Sequence, residues 1–304
     1  MLFRSVNLLV IGYLIKLFKP SVKLVLLAHG IEVWQPFAAW KRKMLDKCDL
    51  ILPVSNFTKE KMKDLHGLPE ERFMVLNNCL DPYMEKPLQE QKSISLLNKY
   101  GLEKDHTILL TVSRMVDTER YKGYDKVLQT LPDLISKYPS LRYLMVGRYD
   151  AAEKKRLDEL ISVFGLQKII VFTDIIPDEV LAAHFKLADI FVMPSEKEGF
   201  GIVFIEAMFY GLPVIAGNKD GSTDALCNGE LGLLVDPDNK AELTAALIKI
   251  LDNRNAYLPD QQKLMKYFSY TGYKEKLKNI LNGLLIPGAL VANLALEGLE
   301  GLGV

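Results

Sequence analysis

The chain has 304 residues, nearly half hydrophobic and a quarter charged, which fits about two packed domains and excludes a disordered chain. Its formal net charge of zero argues against a general nucleic-acid binder. Its three cysteines, Cys48, Cys79 and Cys227, lie far apart with no CxxC pair, which points to free thiols in a reducing, cytoplasmic setting rather than to disulfides or a metal knuckle.

In chain order, "VNLLVIGYLI" (6–15) has the length of a signal-peptide core, but Lys16, Lys19 and Pro20 follow where a small-residue cleavage site belongs. It is also too short to cross a bilayer, which takes roughly 20 apolar residues. Val6, Leu9, Val10, Tyr13, Leu14 and Leu17 repeat at i, i+3, i+4 and i+7, which predicts a mostly buried helix. Strands are predicted at 22–28, 50–54, 73–77, 107–113, 141–147, 168–173, 189–194, 212–217 and 231–235. These runs are apolar throughout rather than alternating, as in strands covered on both faces. Helices are predicted over 123–138, 152–164, 178–187, 202–210 and 239–251. The alternation implies an α/β fold with parallel, doubly wound sheets.

The polar, proline-bearing stretch "DPYMEKPLQEQKS" (81–93) reads as a linker. It divides an N-terminal unit of 1–92, with about three strands, from a C-terminal unit of 93–267 with six. A closing amphipathic helix (268–282) and an apolar tail (283–304) of unassigned role follow. In "VWQPFAAWKRKM" (33–44), Val33, Phe37, Trp40 and Met44 make a helical stripe beside Lys41, Arg42 and Lys43. A core-facing stripe is favoured there over peripheral membrane contact.

Two stretches carry chemistry. In "EKEGFGIVFIEAM" (196–208) the chain leaves a strand, places Glu198 in a loop, passes Gly199 and Gly201, and starts a helix near Ile202 with Glu206 one turn in. Ligands of doubly wound sheets bind at the carboxyl ends of strands. Glycines there let the backbone approach a ligand. The first N–H groups of a helix have no internal partner and its dipole is positive at that end, so it suits a diphosphate. A carboxylate such as Glu206 or Glu198 can accept hydrogen bonds from a sugar diol, the competing reading being a buried acid paired with a Lys or Arg. In "SRMVDTERYKGYDKV" (113–127), Arg114 and Lys122 flank the end of another strand and suit phosphate oxygens, whereas Arg120 reads as part of a solvated basic loop.

The motifs "SRM…KG" (113–123), "VGRYD" (146–150), "ADIFVMPSEKEGFGIVFIEAMFYGLPVIAG" (188–217) and "GLLVDPDN" (232–239) together resemble the retaining GT-B glycosyltransferases of the group 1, family 4 type, over nearly all of 98–281. The resemblance implies two Rossmann-like domains, the N-terminal one incomplete, and transfer of a sugar from a nucleotide-diphosphate sugar to a saccharide or lipid-linked acceptor in cell-surface polysaccharide or glycolipid assembly. It implies that Arg114 and Lys122 hold the diphosphate and Glu206 the ribose. Glu198, Gly199 and the backbone of Phe200, Gly201 and Ile202 would hold the sugar, and the segment near Ile176 would sit over the base. More weakly, "LLAHGIEVW" (26–34) resembles the family's strand and histidine, which would put His29, with Glu198, beside the reacting centre. "CDLILPVSNFTKEKM" (48–62) resembles the next strand and helix, with Ser55 as N-cap. His66, His106 and His184 lack such context and read as surface or packing residues.

Nothing before Leu24 reads as the family's opening strand and Gly-rich loop, which implies a shortened first domain and an exposed sheet edge open to a partner chain or to self-association. The alternatives are therefore a nucleotide-sugar-binding module without turnover, or half of a split transferase. A NAD-dependent dehydrogenase is disfavoured because no GxGxxG follows an early strand. No metal is expected: Asp236-x-Asp238 stands between a strand and a helix, where Asp238 or Asn239 serves as an N-cap.

Overall fold

A computed structural model of the chain describes residues 1–85 and 92–285. Part of the 81–93 linker and most of the 283–304 tail therefore lie outside the described residues. The chain forms two compact units, one of residues 1–79 joined by residues 267–285, the other within residues 80–266. The closing segment thus belongs with the N-terminal unit.

The first unit holds a three-stranded parallel sheet, β1 (Leu2–Phe3), β2 (Val25–Ala28) and β3 (Leu50–Pro53), in that order. β1 is a correction to the sequence reading: Leu2 pairs with Val25 and Phe3 with Leu26, so two residues before Leu24 do form a strand. One face of the sheet is covered by α1 (Leu9–Phe18), α2 (Ala39–Asp46) and α3 (Asn56–His66), around Phe3, Leu9, Leu24, Leu26, Leu45 and Ile51. On the other face Val25, Leu27, Leu50 and Leu52 pack with Ile280 of the last helix. Ser55 caps α3, its side chain accepting from the Thr58 N–H at 3.0 Å. The segment 73–77 is not a full strand. It bridges β3 only at Phe73, with Met74 and Leu76 N–H donating to the Ile51 and Pro53 carbonyls at 3.1 and 2.9 Å.

α1 is not mostly buried. Val6 and Leu9 face the core, and Gly12 lies so close to the Phe3 ring that an added Cβ would come within 2.6 Å of it. Leu14, Leu17 and Phe18 are 49%, 59% and 90% exposed, on a face shared with Leu8 and Ile11. The physical reason is width: a ten-residue helix is about 15 Å long, and the strand nearest its start has two residues. The 33–44 stripe is also broken. The helix begins only at Ala39, Phe37 stacks on His66 with ring centroids 4.3 Å apart, and Trp40 is half-exposed while Val33 and Met44 are buried.

The second unit begins with α4 (Ile94–Tyr100) and holds six parallel strands: β4 (Thr107–Val112), β5 (Leu141–Val146), β6 (Ile170–Phe172), β7 (Ile190–Met193), β8 (Val214–Gly217) and β9 (Leu233–Val235). Their order is β6-β5-β4-β7-β8-β9. The crossovers are α5 (Tyr124–Leu134), α6 (Ala151–Val163), α7 (Asp178–Leu187), α8 (Ile202–Phe209) and the short α9 (Ser222–Ala225), followed by α10 (Lys240–Asp252) and α11 (Gln261–Phe268); the last helix, α12 (Tyr270–Leu285), belongs to the first unit. The central strands are buried: Leu109, Tyr143, Val192 and Ile215 meet Leu128, Leu131, Leu157 and Leu247 in one core, while the edge strands β6 and β9 are largely half-buried. The direction of winding reverses between β4 and β7, which opens a crevice at the carboxyl ends of those two strands. Among the described residues no helix is long and apolar enough to cross a membrane.

Candidate functional site

Three loops meet at this crevice: 113–123 after β4, 194–201 after β7, and 218–222 after β8. They nest backbone against backbone. The Glu196 N–H donates to the Tyr121 carbonyl at 2.9 Å, and the Gly221 N–H to the Glu198 carbonyl at 2.8 Å. Any side chain at Gly123 would strike the Pro194 carbonyl, and one at Gly221 would strike the Gly199 carbonyl, with the added Cβ within 2.2 and 2.1 Å respectively. Glycine at these two points is what lets neighbouring loops touch.

The charged residues then fall together. Lys122 ion-pairs with Glu198, and both are largely buried. The residue expected to hold phosphate and the residue expected to hold sugar thus neutralise one another across the crevice. Arg114, 68% exposed, pairs with Glu119 at 2.6 Å. Tyr121, between them, has its hydroxyl pushed up to about 12 by burial and by the carboxylates of Glu119 and Glu198. Lys126 on α5 pairs with Glu196 and with Asp238, tying the β7 loop to the β9 loop.

Arg120 corrects the sequence reading. It is not simply a solvated base: its Nε donates to the fully buried Glu153 at 2.8 Å, and it also pairs with Asp117. Burial pushes the Glu153 carboxyl up, but Arg156, Tyr124 and Arg120 outweigh it and hold the carboxyl below its ordinary value. The Tyr124 hydroxyl donates to Glu153 at 2.9 Å, and Arg156 also pairs with Asp125 at 3.0 Å. This network anchors the 113–123 loop to α5 and α6. Sequence reasoning missed it because Asp150-x-x-Glu153 spells a helix start. Asp150 does cap α6, accepting from the Glu153 N–H at 2.7 Å, but the Glu153 side chain turns inward to the arginines.

The helix expected near Ile202 starts there as α8. Gly201 precedes it at φ 83°, and an added Cβ would lie 2.4 Å from the Phe204 ring, so both backbone and packing require glycine. The Phe200 side chain is buried in the core, Ile202 is exposed, and Gly199 and Glu206 are half-buried. Burial, then Glu206, then Glu85 push the nearby Tyr210 hydroxyl up. Ile176 lies in the loop after β6, an edge strand two places from β4, and is half-buried. His29 lies in the other unit, directly after β2. Its N–H donates to Glu32 at 2.6 Å, and Gly30 turns at φ 142°. The Glu32 carboxylate thus closes the "HGIE" turn on the His29 N–H.

A second missed residue is Asp220. It is fully buried and accepts from Ser195 Oγ at 2.8 Å, the Glu198 N–H at 2.7 Å, the Ser222 N–H at 2.9 Å and Ser222 Oγ. Burial pushes its carboxyl up against the pull of these donors. In sequence, "KDGS" is only a turn signal.

The Asp236 and Asp238 carboxylates converge on one ammonium, that of Lys219. Asn239 caps α10, accepting from the Glu242 N–H at 3.1 Å, while Asp236 and Asp238 pair with Lys219 at 2.6 and 2.8 Å. Lys219 and Lys126 hold the Asp238 carboxyl down to about 2. Glu103, Asp105 and His106 come close enough to share an ion, and His106 Nδ1 accepts the Glu103 N–H at 2.9 Å. His66 and His184 are packing residues, buried and bonded to the Val33 and Val180 carbonyls at 3.1 and 2.8 Å.

A parallel sheet wound in this order, with cations, a carboxylate and a glycine-led helix gathered at its switch point, defines an α/β protein of the GT-B type. Residues 94–275 match the family of group 1 glycosyl transferases, and residues 4–83 match glycosyltransferase family 4. The chain belongs to the group 1 glycosyl transferases. It is 30% identical over 246 residues to a GDP-mannose-dependent alpha-(1-6)-phosphatidylinositol monomannoside mannosyltransferase of Mycolicibacterium smegmatis, covering 77% of this chain and 62% of that protein. It is 25% identical over 223 residues to an alpha-D-kanosaminyltransferase of Streptomyces kanamyceticus, covering 73% and 56%. The chain thus spans about six-tenths of the length of these relatives. Among solved structures, Anabaena HepE in complex with UDP superposes with a TM-score of 0.78 at 20% identity, covering 93% of this chain and 78% of that one. A glycosyltransferase from Rickettsia africae gives 0.74 at 22%, covering 91% and 74%.

Proposed function

We propose that this protein is a glycosyltransferase that moves a sugar from a nucleotide-diphosphate sugar to an acceptor hydroxyl with retention of configuration, in cell-surface polysaccharide or glycolipid assembly at the cytoplasmic face of the membrane. The observation that carries the proposal is the Lys122–Glu198 pair at the switch point, beside the N-terminus of α8. It supplies a cation for a diphosphate and an acceptor for sugar hydroxyls within one contact distance.

In this proposal Arg114 and Lys122 take the diphosphate oxygens, Glu206 the ribose, and Glu198 with the 199–202 backbone the sugar. The segment near Ile176 lies over the base. As the C1–O bond breaks, negative charge grows on the leaving diphosphate and is stabilised by the two cations and the α8 N–H groups. C1 becomes oxocarbenium-like. The acceptor oxygen then bonds to C1 on the face the diphosphate leaves, and its proton passes to a leaving phosphate oxygen. No protein nucleophile is required, and protein cations rather than a resident metal carry the charge. His29 is assigned to the reacting centre with Glu198. The mannosyltransferase acting on a phosphatidylinositol monomannoside supports a lipid-linked acceptor.

The test is release of nucleoside diphosphate from UDP-glucose and from GDP-mannose in the presence of membrane lipid extract. Release with one donor, lost in Lys122→Ala and Glu198→Ala, is expected. Release equal in all three proteins would remove the assignment.

A further inference from the structure

The main-chain polar groups of Glu198 are both held by one neighbouring turn. Its N–H donates to the Asp220 carboxylate at 2.7 Å, and its carbonyl accepts the Gly221 N–H at 2.8 Å. The same carboxylate oxygen takes Ser195 Oγ at 2.8 Å, from the start of the Glu198 loop, while the other oxygen takes the N–H and Oγ of Ser222. The four donors are all neutral. The adjacent Lys219 is turned away to Asp236 and Asp238.

A buried carboxylate costs free energy unless its acceptor sites are filled, and filling them fixes the groups that fill them. Here the filled sites join residues 195, 198 and 222, from two loops on adjacent strands. Glycine is required on both sides of the joint. A Cβ at Gly221 would meet the Gly199 carbonyl at 2.1 Å, and one at Gly217 the Ser195 carbonyl at 1.9 Å. The turn therefore fits against the loop without slack.

We infer that Asp220 is a positioning residue for the donor sugar: it fixes the Glu198 backbone, and through it the carboxylate that meets Lys122. The inference rests on the donor-site reading above and deepens it. It separates the site into a nucleotide part, carried by Arg114, Lys122 and Glu206, and a sugar part that depends on Asp220. Asparagine at 220 would keep the shape but place an NH2 where an oxygen now accepts, so both donors on that oxygen would lose their acceptor; the serine hydroxyl can turn to accept instead, but the backbone N–H cannot. Ser195→Ala is a milder probe, removing one donor and leaving the carboxylate in place.

The experiment has two readouts on the full chain. First, dissociation constants for UDP against UDP-glucose, and for GDP against GDP-mannose, are measured on the unmodified protein, Asp220→Asn, Ser195→Ala, Glu198→Gln and Asp220→Asn/Glu198→Gln. Asp220→Asn is expected to weaken the nucleotide sugar about tenfold, with the nucleoside diphosphate not weakened. In the Glu198→Gln background it is expected to add little, since residues acting through one group are not additive. Equal losses for both ligands, or the same tenfold loss in both backgrounds, would overturn the inference. Second, amide hydrogen exchange is followed in peptides covering 195–201 and, as an internal standard, 128–134. Faster exchange confined to 195–201 in Asp220→Asn and Ser195→Ala is expected. Unchanged or uniformly faster exchange would overturn the inference. If neither nucleotide binds the unmodified protein, the donor-site reading and the positioning of a donor sugar fall together. Localised exchange would then leave only a brace on the Glu198 backbone.

Discussion

The two units are built from the same alternation of apolar strand and helix, yet they place their charges differently. In the N-terminal unit the described strands run in simple order, β1-β2-β3, and no reversal opens a crevice among them. One helix, α1, turns a row of apolar side chains outward. In the second unit the order reverses between β4 and β7. Lys122, Glu198, Arg114, Glu196, Lys126 and Asp220 all stand on or beside the loops at that reversal. Strand order decides where a crevice opens at the carboxyl ends of an α/β sheet.

The sharpest way to break this comparison is to cut the network that holds the 113–123 loop. Glu153→Gln leaves Arg120 and Arg156 without their buried carboxylate, and a loss of about 3 kcal/mol of stability is expected at pH 7. The Glu153 carboxyl is held below its ordinary value when folded, so its stabilisation is present above the unfolded pKa and fades as pH falls through the folded one. Urea unfolding at pH 7 and at pH 4 should show the gap between variant and unmodified protein narrowing in acid. A gap that widens would contradict the assignment.

Gly201→Ala tests the start of α8. It forces an L side chain to φ 83° and into the Phe204 ring, and should cost about 2 kcal/mol in a thermal melt. A melt unchanged within about 0.3 kcal/mol would mean that the turn relaxes freely.

Glu198→Gln sharpens the site itself. Freed from its ion pair, Lys122 should bind a bare nucleoside diphosphate several-fold more tightly, a gain of about 1 kcal/mol. The nucleotide sugar should bind more weakly. Weaker binding of both would show that Glu198 does not restrain Lys122.

The smallest effect belongs to the other unit. Leu14→Gln, on the outward face of α1, should alter stability by no more than about 0.5 kcal/mol. A loss of about 2 kcal/mol would show that this face is packed in solution, and the contrast between the units would need revision.

Much of this was legible from the residues. Continuous apolar runs gave the eight main strands because parallel strands covered on both faces cannot alternate. Gly-Phe-Gly between a strand and Ile202 located α8, because a glycine at positive φ and a helix start leave a local signature. What stayed hidden depends on contacts distant in sequence. Glu153 is 33 residues from Arg120, and Asp220 is 22 from Glu198. No local pattern shows that these side chains meet. The length of β1 and the exposed half of α1 were hidden for the same reason: a helical stripe gives the direction of the apolar face, not the width of the sheet beneath it.

The central claim is that the β4/β7 crevice holds a nucleotide diphosphate between Lys122 and the start of α8. Calorimetric titration of the chain with UDP, GDP and ADP, repeated on Lys122→Ala and Arg114→Ala, tests it most directly. Saturable binding of one nucleotide is expected, weakened roughly 30-fold or more in Lys122→Ala, the loss of a charge-assisted contact of about 2 kcal/mol. Binding that is saturable yet indifferent to Lys122, or no binding by the folded chain, would contradict it.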